Sequence, residues 1–120
     1  MVLVDTSVWM DHFRKASGKL SSLLEAEEVA IHAFVLGELA CGNLRNRKEI
    51  IALLHALPKA PTVEEDELLL FIEGHRLMGR GIGLMDVHIL ASCCIGSFQL
   101  WTKDKRLRVV AEEMNIGFSE

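Results

Sequence analysis

The chain has few cysteines, and their arrangement does not suggest disulfide bonds. Its 120 residues include three cysteines. Cys93 and Cys94 are adjacent, the third is Cys41, and none belongs to a Cys-x-x-Cys motif. Because three thiols cannot all pair with one another, we expect a protein of a reducing compartment. We predict that all three side chains are buried as small apolar groups.

The chain also lacks a long apolar segment. The run from Val2 to Val4 is stopped by Asp5 before the apolar region of a targeting signal can form. The longest stretch without a charged residue, 87–102, has 16 residues, and histidine, serine, glycine and glutamine interrupt it. A membrane-spanning helix needs about 20 apolar residues, so we expect a cytoplasmic protein that does not enter membranes.

Motifs of several enzyme classes are missing. There is no His-Glu-x-x-His motif and no close group of cysteines and histidines, so zinc is not expected. Ser7 lacks the Gly-x-Ser-x-Gly turn of a nucleophilic serine. Glycines at 79, 81 and 83 resemble a phosphate loop, but they follow a predicted helix and match neither nucleotide-binding motif. His88 is either a proton shuttle or, as its apolar helix favours, a histidine in or at the rim of the core.

What is present is the composition and patterning of a folded domain. Half of the residues are hydrophobic and 25% are charged, which predicts one domain over residues 1–120. Short apolar runs alternate with helical patterns, and this alternation predicts an α/β sandwich around a mostly parallel sheet. The predicted strands are Val2–Val4, Val29–Ile31, Phe98–Thr102 and Ile116–Phe118, and the predicted helices are Val8–Arg14, Leu20–Glu27, Phe34–Cys41, Arg47–Leu57, Glu64–Arg80, Asp86–Ile95 and Lys105–Met114.

The net charge of -4 is unevenly distributed. Residues 49–75 carry six acidic and one basic side chain, whereas residues 1–48 carry six of each and residues 76–120 carry six basic and five acidic ones. The acidic run 64–67 precedes an apolar helix, where acids suit the positive end of the helix dipole. The overall charge therefore does not by itself exclude a nucleic-acid substrate.

Four acids stand out by their positions. Asp5 ends the first predicted strand, and Asp104 follows the strand that contains Trp101 by a few residues. Glu38 and Asp86 lie among apolar neighbours, where an unpaired charge is costly. Taken singly, Asp5 and Asp86 suit helix N-caps, Glu38 a partly exposed helix position and Asp104 a turn.

Taken together, the same four acids predict a metal site. Ligands bind parallel sheets at the carboxyl ends of their strands, and carboxylates gathered there raise one another's pKa unless a cation offsets them. Carboxylate oxygens suit Mg²⁺ or Mn²⁺, which support hydrolysis of phosphodiesters. Without these four acids the chain has 13 acidic and 13 basic residues, so RNA is no longer repelled once a metal ion offsets their charge. Candidates for contact with RNA phosphates are Arg76 and Arg80, four apart on one predicted helical face, and Lys103, Lys105, Arg106 and Arg108 around Asp104.

The same residues carry a family resemblance. The segments Val-Leu-Val-Asp-Thr-Ser-Val-Trp, Gly-Leu-Met-Asp-Val-His-Ile-Leu-Ala and Leu-Trp-Thr-Lys-Asp-Lys-Arg-Leu, with Glu38 in its apolar helix, resemble those of PIN-domain nucleases. Among these, the chain most resembles the VapC toxins of type II toxin-antitoxin pairs. The resemblance runs from Val2 to about Phe118 and includes all four acidic positions.

The resemblance implies a PIN-like α/β/α sandwich and a metal-dependent endoribonuclease. In it, Asp5, Glu38, Asp86 and Asp104 form the metal-binding active site, and Thr6, Ser7 and Thr102 are supporting polar residues. It implies Mg²⁺ or Mn²⁺ as cofactor and a structured RNA, commonly a transfer RNA, as substrate. It also implies a cognate VapB-type antitoxin, a homodimer, and toxin-antitoxin complexes that bind operator DNA through the antitoxin.

Two other function classes remain open. A phosphatase of the haloacid dehalogenase type or a receiver domain also has an aspartate after its first strand. The former requires a second aspartate two residues on, where this chain has Ser7, and the latter requires further acids near the start. The other class is a non-catalytic PIN-fold module that binds RNA or protein. Four clustered carboxylates without a cation would destabilise such a module, which favours the nuclease.

Overall fold

A three-stranded parallel sheet forms the centre of the computed structural model, which describes residues 1–119. The strands are β1 (Val2–Val4), β2 (Val29–Ala30) and β3 (Gln99–Trp101), in the order β2-β1-β3. All three residues of β1 are buried. Because successive side chains of a strand point to opposite faces, the elements around the sheet cover both of its faces.

Within residues 1–119, seven helices surround this sheet. They are α1 (Thr6–Arg14), α2 (Gly18–Glu25), α3 (Ala33–Cys41), α4 (Arg47–His55), α5 (Glu65–His75), α6 (Leu84–Gly96) and α7 (Lys105–Glu113). Their buried side chains form one core together with the strands, and Leu3, Leu39 and Leu90 are at most 1% exposed in it. No helix within residues 1–119 is both long enough and apolar enough to cross a membrane.

The α/β prediction is confirmed, and most predicted elements agree with the structure to within two residues. The predicted helix from Glu64 to Arg80 is wrong at its end, since α5 stops at His75. Arg76 takes a left-handed conformation with φ of 52°, and the Leu77 amide turns back to the carbonyl of Ile72. Leu77 is buried by this turn, so its apolar character does not continue the helix.

The predicted terminal strand is present only as a short pairing. Leu100 donates to the carbonyl of Ile116 and accepts from the Phe118 amide, which forms a parallel bridge between Leu100 and Gly117. A second parallel bridge joins Ile31 to Lys59 beyond β2. Both pairings extend the sheet at its edges.

The strand order places Asp5 at a switch point of the topology. From the central strand β1 the chain passes to β2 on one side and later to β3 on the other. The loops that leave the carboxyl ends of β1 and β3 therefore lie next to each other. Such a crevice is the usual ligand site of parallel sheets, and Asp5 and Asp104 follow these two strands.

Candidate active site

Asp5 is held at the end of β1 by its neighbours on β3. Its amide donates to the carbonyl of Trp101 at 2.9 Å, which extends the β1–β3 pairing by one residue. The hydroxyls of Thr102 and Ser7 both donate to its Oδ2, at 2.8 Å and 3.0 Å. Asp5 is only 7% exposed, and its oxygen Oδ2 is satisfied by these two hydroxyls.

Asp104 is joined to Asp5 through Thr102. The hydroxyl of Thr102, which donates to Asp5, accepts a hydrogen bond of 3.1 Å from the amide of Asp104. The Asp104 side chain caps α7, because its Oδ1 accepts from the Leu107 amide at 3.0 Å. The Ser7 hydroxyl likewise accepts from the Lys103 amide at 3.0 Å. Two hydroxyls therefore connect the turn after β1 to the turn after β3.

Glu38 approaches the same crevice from α3. The hydroxyl of Thr6, the residue directly after Asp5, donates to its Oε1 at 2.8 Å. This contact joins the first turn of α1 to the second turn of α3, and the two helices pack against each other. Glu38 is exposed, so its charge faces solvent on one side and the site on the other.

Asp86 completes the group from the first turn of α6. Its Oδ2 accepts from the Gly83 amide at 3.2 Å. Half-burial raises the pKa of Asp86, the Gly83 hydrogen bond lowers it, and the charges of Asp5, Asp104 and Glu38 each raise it further. The charges of Asp5, Asp104 and Glu38 are therefore near enough to Asp86 to disfavour its ionised form.

Each of the four carboxylates has one oxygen that accepts a hydrogen bond from the protein and one that does not. The bonded oxygens are Oδ2 of Asp5, Oε1 of Glu38, Oδ2 of Asp86 and Oδ1 of Asp104. Among the described residues, the other oxygen of each acid has no hydrogen-bond partner. In the same part of the chain, no three histidine, cysteine or acidic side chains are close enough to enclose an ion by themselves.

The basic residues predicted to meet phosphates have different surroundings. Arg76 and Arg80 do not share a helical face, since α5 ends before both, and Arg80 pairs with Glu113 at 2.9 Å. Lys103 is turned away toward Asp11 on α1, at 2.6 Å. Lys105 and Arg106 are exposed in the first turn of α7, beside Asp104.

Asp11 is a residue that the sequence reasoning missed. It accepts from both Lys103 and Arg14, and the hydrogen bond from Lys103 is the main cause that lowers its pKa. The sequence spacing could have indicated the contact between Asp11 and Arg14, because Ser7, Asp11 and Arg14 share one face of α1. Only the fold shows that Lys103 lies opposite that face.

The cysteine prediction is correct for one residue of three. Cys93 is buried, and burial raises its pKa to about 12, whereas Cys41 and Cys94 are exposed. His88 is half-buried, and its ring lies edge-on to that of Phe34 with centroids 4.7 Å apart. This places His88 at the rim of the core rather than within it.

An apolar cavity opens on another surface of α1. It has a volume of about 510 Å³ between α1, α2 and α4 and is lined by Trp9, Phe13, Leu24, Ile50, Leu53 and Leu57, among others. The Nε1 atom of Trp9 is buried without a hydrogen-bond partner within residues 1–119. Leu53 is 70% exposed at this cavity.

Comparison with known proteins identifies the family. The PIN domain family matches residues 2–113. Two proteins named Ribonuclease VapC32, from the CDC 1551 / Oshkosh and ATCC 25618 / H37Rv strains of Mycobacterium tuberculosis, are each 40% identical to this chain over 121 residues. The matches cover 100% of this chain and 98% of each relative. The chain therefore belongs to the PIN-domain family, in its group of VapC-type ribonucleases.

Proposed function

We propose that this protein is a divalent-cation-dependent endoribonuclease whose active site consists of Asp5, Glu38, Asp86 and Asp104. One observation carries the proposal. Each of the four carboxylates has one oxygen bonded to the scaffold and one without a hydrogen-bond partner among the described residues, and the charges of Asp5, Asp104 and Glu38 each raise the pKa of Asp86, which supports their meeting at the switch point of the sheet. A group of acids that served only as helix caps would not need to meet at one point.

The donor set fits a hard cation such as Mg²⁺ or Mn²⁺. All four free atoms are carboxylate oxygens, and Mg²⁺ typically takes one or two carboxylates and completes its shell with water and substrate oxygens. Within residues 1–119 no three acidic, histidine or cysteine side chains are close enough to hold the ion alone, so water and substrate oxygens would have to complete its shell. We assign Asp5 and Asp86 as direct ligands and Glu38 and Asp104 as residues that complete the site. When bound, the ion supplies Lewis acidity toward water and toward the phosphodiester.

Hydroxyl side chains orient the carboxylates of the proposed active site. Thr102 and Ser7 bond Oδ2 of Asp5 and leave its Oδ1 without a partner among the described residues, and Thr6 does the same for Oε1 and Oε2 of Glu38. Glu38, which is not assigned as a direct ligand and whose Oε2 has no hydrogen-bond partner among the described residues, is suited to accept a proton from the water that attacks phosphorus. Hydrolysis then breaks the phosphorus–oxygen bond of the leaving nucleotide, and water provides both the hydroxyl and the proton.

RNA is the proposed substrate, and a structured RNA such as a transfer RNA is the proposed target. The relatives are named ribonucleases. Lys105 and Arg106 are exposed next to Asp104 and are proposed to contact phosphates that flank the cut. Arg76, Arg80 and Lys103 are secondary candidates for contact with RNA phosphates. To make such contacts, Arg80 and Lys103 must first break their ion pairs with Glu113 and Asp11.

We propose that the protein is cytoplasmic and that a VapB-type antitoxin inhibits it there. The apolar cavity between α1, α2 and α4 suits an apolar segment of such a partner, because exposed Leu53 and buried Trp9 leave a concave surface without a covering element. Through the antitoxin, the complex would bind operator DNA, since no DNA-binding motif occurs in this chain.

A homodimer is proposed on a different surface. The packed helices α5 and α6 expose large apolar side chains, with Leu70 73% exposed and Leu84 63% exposed. Leu69 and Ile95 add to this apolar surface. Burial of such side chains against a second copy is worth about 25 cal/mol per Å² of apolar surface removed from water.

The test compares the purified chain with its Asp86→Asn variant on total transfer RNA, with Mg²⁺, with Mn²⁺ and with a chelator. Asparagine keeps an oxygen to accept from the Gly83 amide, so the fold is retained. We expect the parent chain to make discrete, cation-dependent cuts that the variant does not make. Mapping the ends of the RNA fragments then identifies the RNA that is cleaved. Full activity of Asp86→Asn would refute the assigned site. Absence of cuts in any RNA despite cation binding would favour a non-catalytic binding role.

A further inference from the structure

A second cavity lies at the C-terminal end of α1 and is lined by arginines rather than by acids. Its volume is about 510 Å³, and its lining includes Met10 and Arg14 of α1 and the polar residues Asn43, Arg45 and Asn46 of the loop before α4. We call this surface the distal groove. None of the acids of the candidate active site lines it.

Basic residues line the distal groove and flank it in the sequence. The segments 14–15 and 45–48 contain five basic residues, Arg14, Lys15, Arg45, Arg47 and Lys48, and all five are exposed. The adjacent acids are Asp11 and Glu49. In a chain with a net charge of -4, such a local excess of positive charge concentrates anions at this place.

The distal groove continues the candidate active site along α1. Thr6, Met10 and Arg14 follow at intervals of four residues and so lie on one face of the helix. Thr6 contacts Glu38 at one end, and Arg14 lines the groove at the other. Eight residues at 1.5 Å each separate the two ends by about 12 Å. Met10, between them, is 39% exposed and leaves the path open.

The two arginines differ in how they are held. Arg14 pairs with Asp11, which also accepts from Lys103, so two cations share one carboxylate and the group keeps a positive charge. This shared pairing positions the Arg14 guanidinium at the groove. Arg45 is exposed and forms no ion pair within residues 1–119, so its guanidinium is available to a ligand.

We propose that the distal groove binds the phosphates of the same RNA strand whose scissile phosphate lies at the four acids. The inference rests on the proposed function and deepens it by assigning a path to the strand. At a rise of about 3.4 Å per nucleotide in a stacked strand, and more in an extended one, 12 Å corresponds to about two to four nucleotides. Arg14 and Arg45 provide the charge, and the exposed side chain of Met10 offers an apolar surface for an intervening base.

The test measures RNA affinity without cleavage. Arg14→Gln, Arg45→Gln and the double variant are made in the Asp86→Asn background, and binding of a labelled single-stranded RNA is followed by anisotropy in chelator over a series of salt concentrations. Lys19→Gln is the matched control, since it also removes one positive charge, and Lys19 lies over the Phe118 ring, outside the groove. We expect severalfold weaker binding for each arginine variant and a salt slope reduced by about 0.7 per arginine.

The outcomes separate the inference from the proposed function. If the parent chain cleaves RNA but the double variant binds it as tightly as the Lys19→Gln control does, the distal groove is not on the strand path. The same conclusion follows if the arginine variants lose only antitoxin affinity. If the parent chain neither binds nor cleaves RNA, the proposed function itself fails. In active chains, RNAs shortened on one side of the cut should become insensitive to Arg14→Gln and Arg45→Gln.

Discussion

The hydroxyl of Thr102 donates a 2.8 Å hydrogen bond to Oδ2 of Asp5, although 97 residues separate the two in the chain. The same hydroxyl accepts from the Asp104 amide, and Thr102 is 3% exposed. One buried side chain therefore sets the position of an acid on β1 and of another after β3. This makes Thr102 a positioning residue that acts through Asp5 and Asp104.

We expect Thr102→Val to weaken both the fold and the binding of a cation. Valine has nearly the same shape but removes one of the two hydroxyl donors to Asp5 and leaves the Asp104 amide without its partner, which costs about 1–3 kcal/mol of unfolding free energy. The loss of a group that orients a metal ligand typically lowers metal affinity about 10- to 100-fold. Urea unfolding and Mg²⁺ titration measure the two effects. Thr102→Ser keeps the hydroxyl and should restore cation affinity; if both variants bind Mg²⁺ like the parent, Thr102 is purely structural.

Neutralising Asp86 should stabilise the cation-free protein in a manner that depends on pH. The raised pKa of Asp86 means that the native state holds its proton at a pH where the unfolded chain has released it. Stability therefore falls as pH rises from the ordinary value of 3.8 through the raised pKa, and Asp86→Asn removes that fall.

The measurement is the melting temperature of both proteins across this pH range, with and without Mg²⁺. The gain of Asp86→Asn over the parent should grow with pH, level off above the raised pKa, and shrink when Mg²⁺ is added. Glu38→Gln serves as a comparison, because its exposed position predicts a smaller gain. A variant that melts below the parent at every pH without Mg²⁺ would contradict like-charge crowding.

Gly81 and Gly79 provide a matched pair for testing the role of Arg106. Both have positive φ, 78° and 71°, so alanine at either should cost about 1–2 kcal/mol. A Cβ on Gly81 would lie 2.7 Å from Nη1 of Arg106, whereas one on Gly79 meets nothing within 4 Å. Gly81→Ala should therefore also weaken RNA binding by displacing Arg106, and Gly79→Ala should not. Equal RNA affinity in equilibrium binding would remove Arg106 from the proposed contacts.

Leu53 and Leu70 separate the two proposed protein partners. Both are exposed, so a charge at either position should leave the monomer folded. Leu53→Glu should weaken binding of the cognate antitoxin at least tenfold and leave the dimer intact, because a buried carboxylate opposes apolar contact. Leu70→Glu should do the reverse. Calorimetry with the antitoxin and light scattering of the free protein measure these effects, and a reversed pattern would exchange the two surfaces.

The α/β class and the positions of the four acids could be predicted from local sequence. β1 is a continuous apolar run, as strands covered on both faces are, and Asp5 and Asp104 lie between a strand and the helix that follows it. These features are local, because they follow from short apolar runs and from the helical spacing of the residues between those runs. The length of α5 could not be predicted in this way, because Leu77 packs into the core from a turn rather than from a helix.

The sequence by itself determined which residues carry charge, which segments are apolar and which acids interrupt them. Only the tertiary structure decided that Thr102 contacts Asp5, that Thr6 contacts Glu38, and that Lys103 pairs with Asp11 instead of facing the site. It also brought Arg14 at the end of α1 and Arg45 in the loop before α4 together in the distal groove. The physical reason is that strand order and helix packing set the distances between residues far apart in the chain, and local spacing contains no information about those distances.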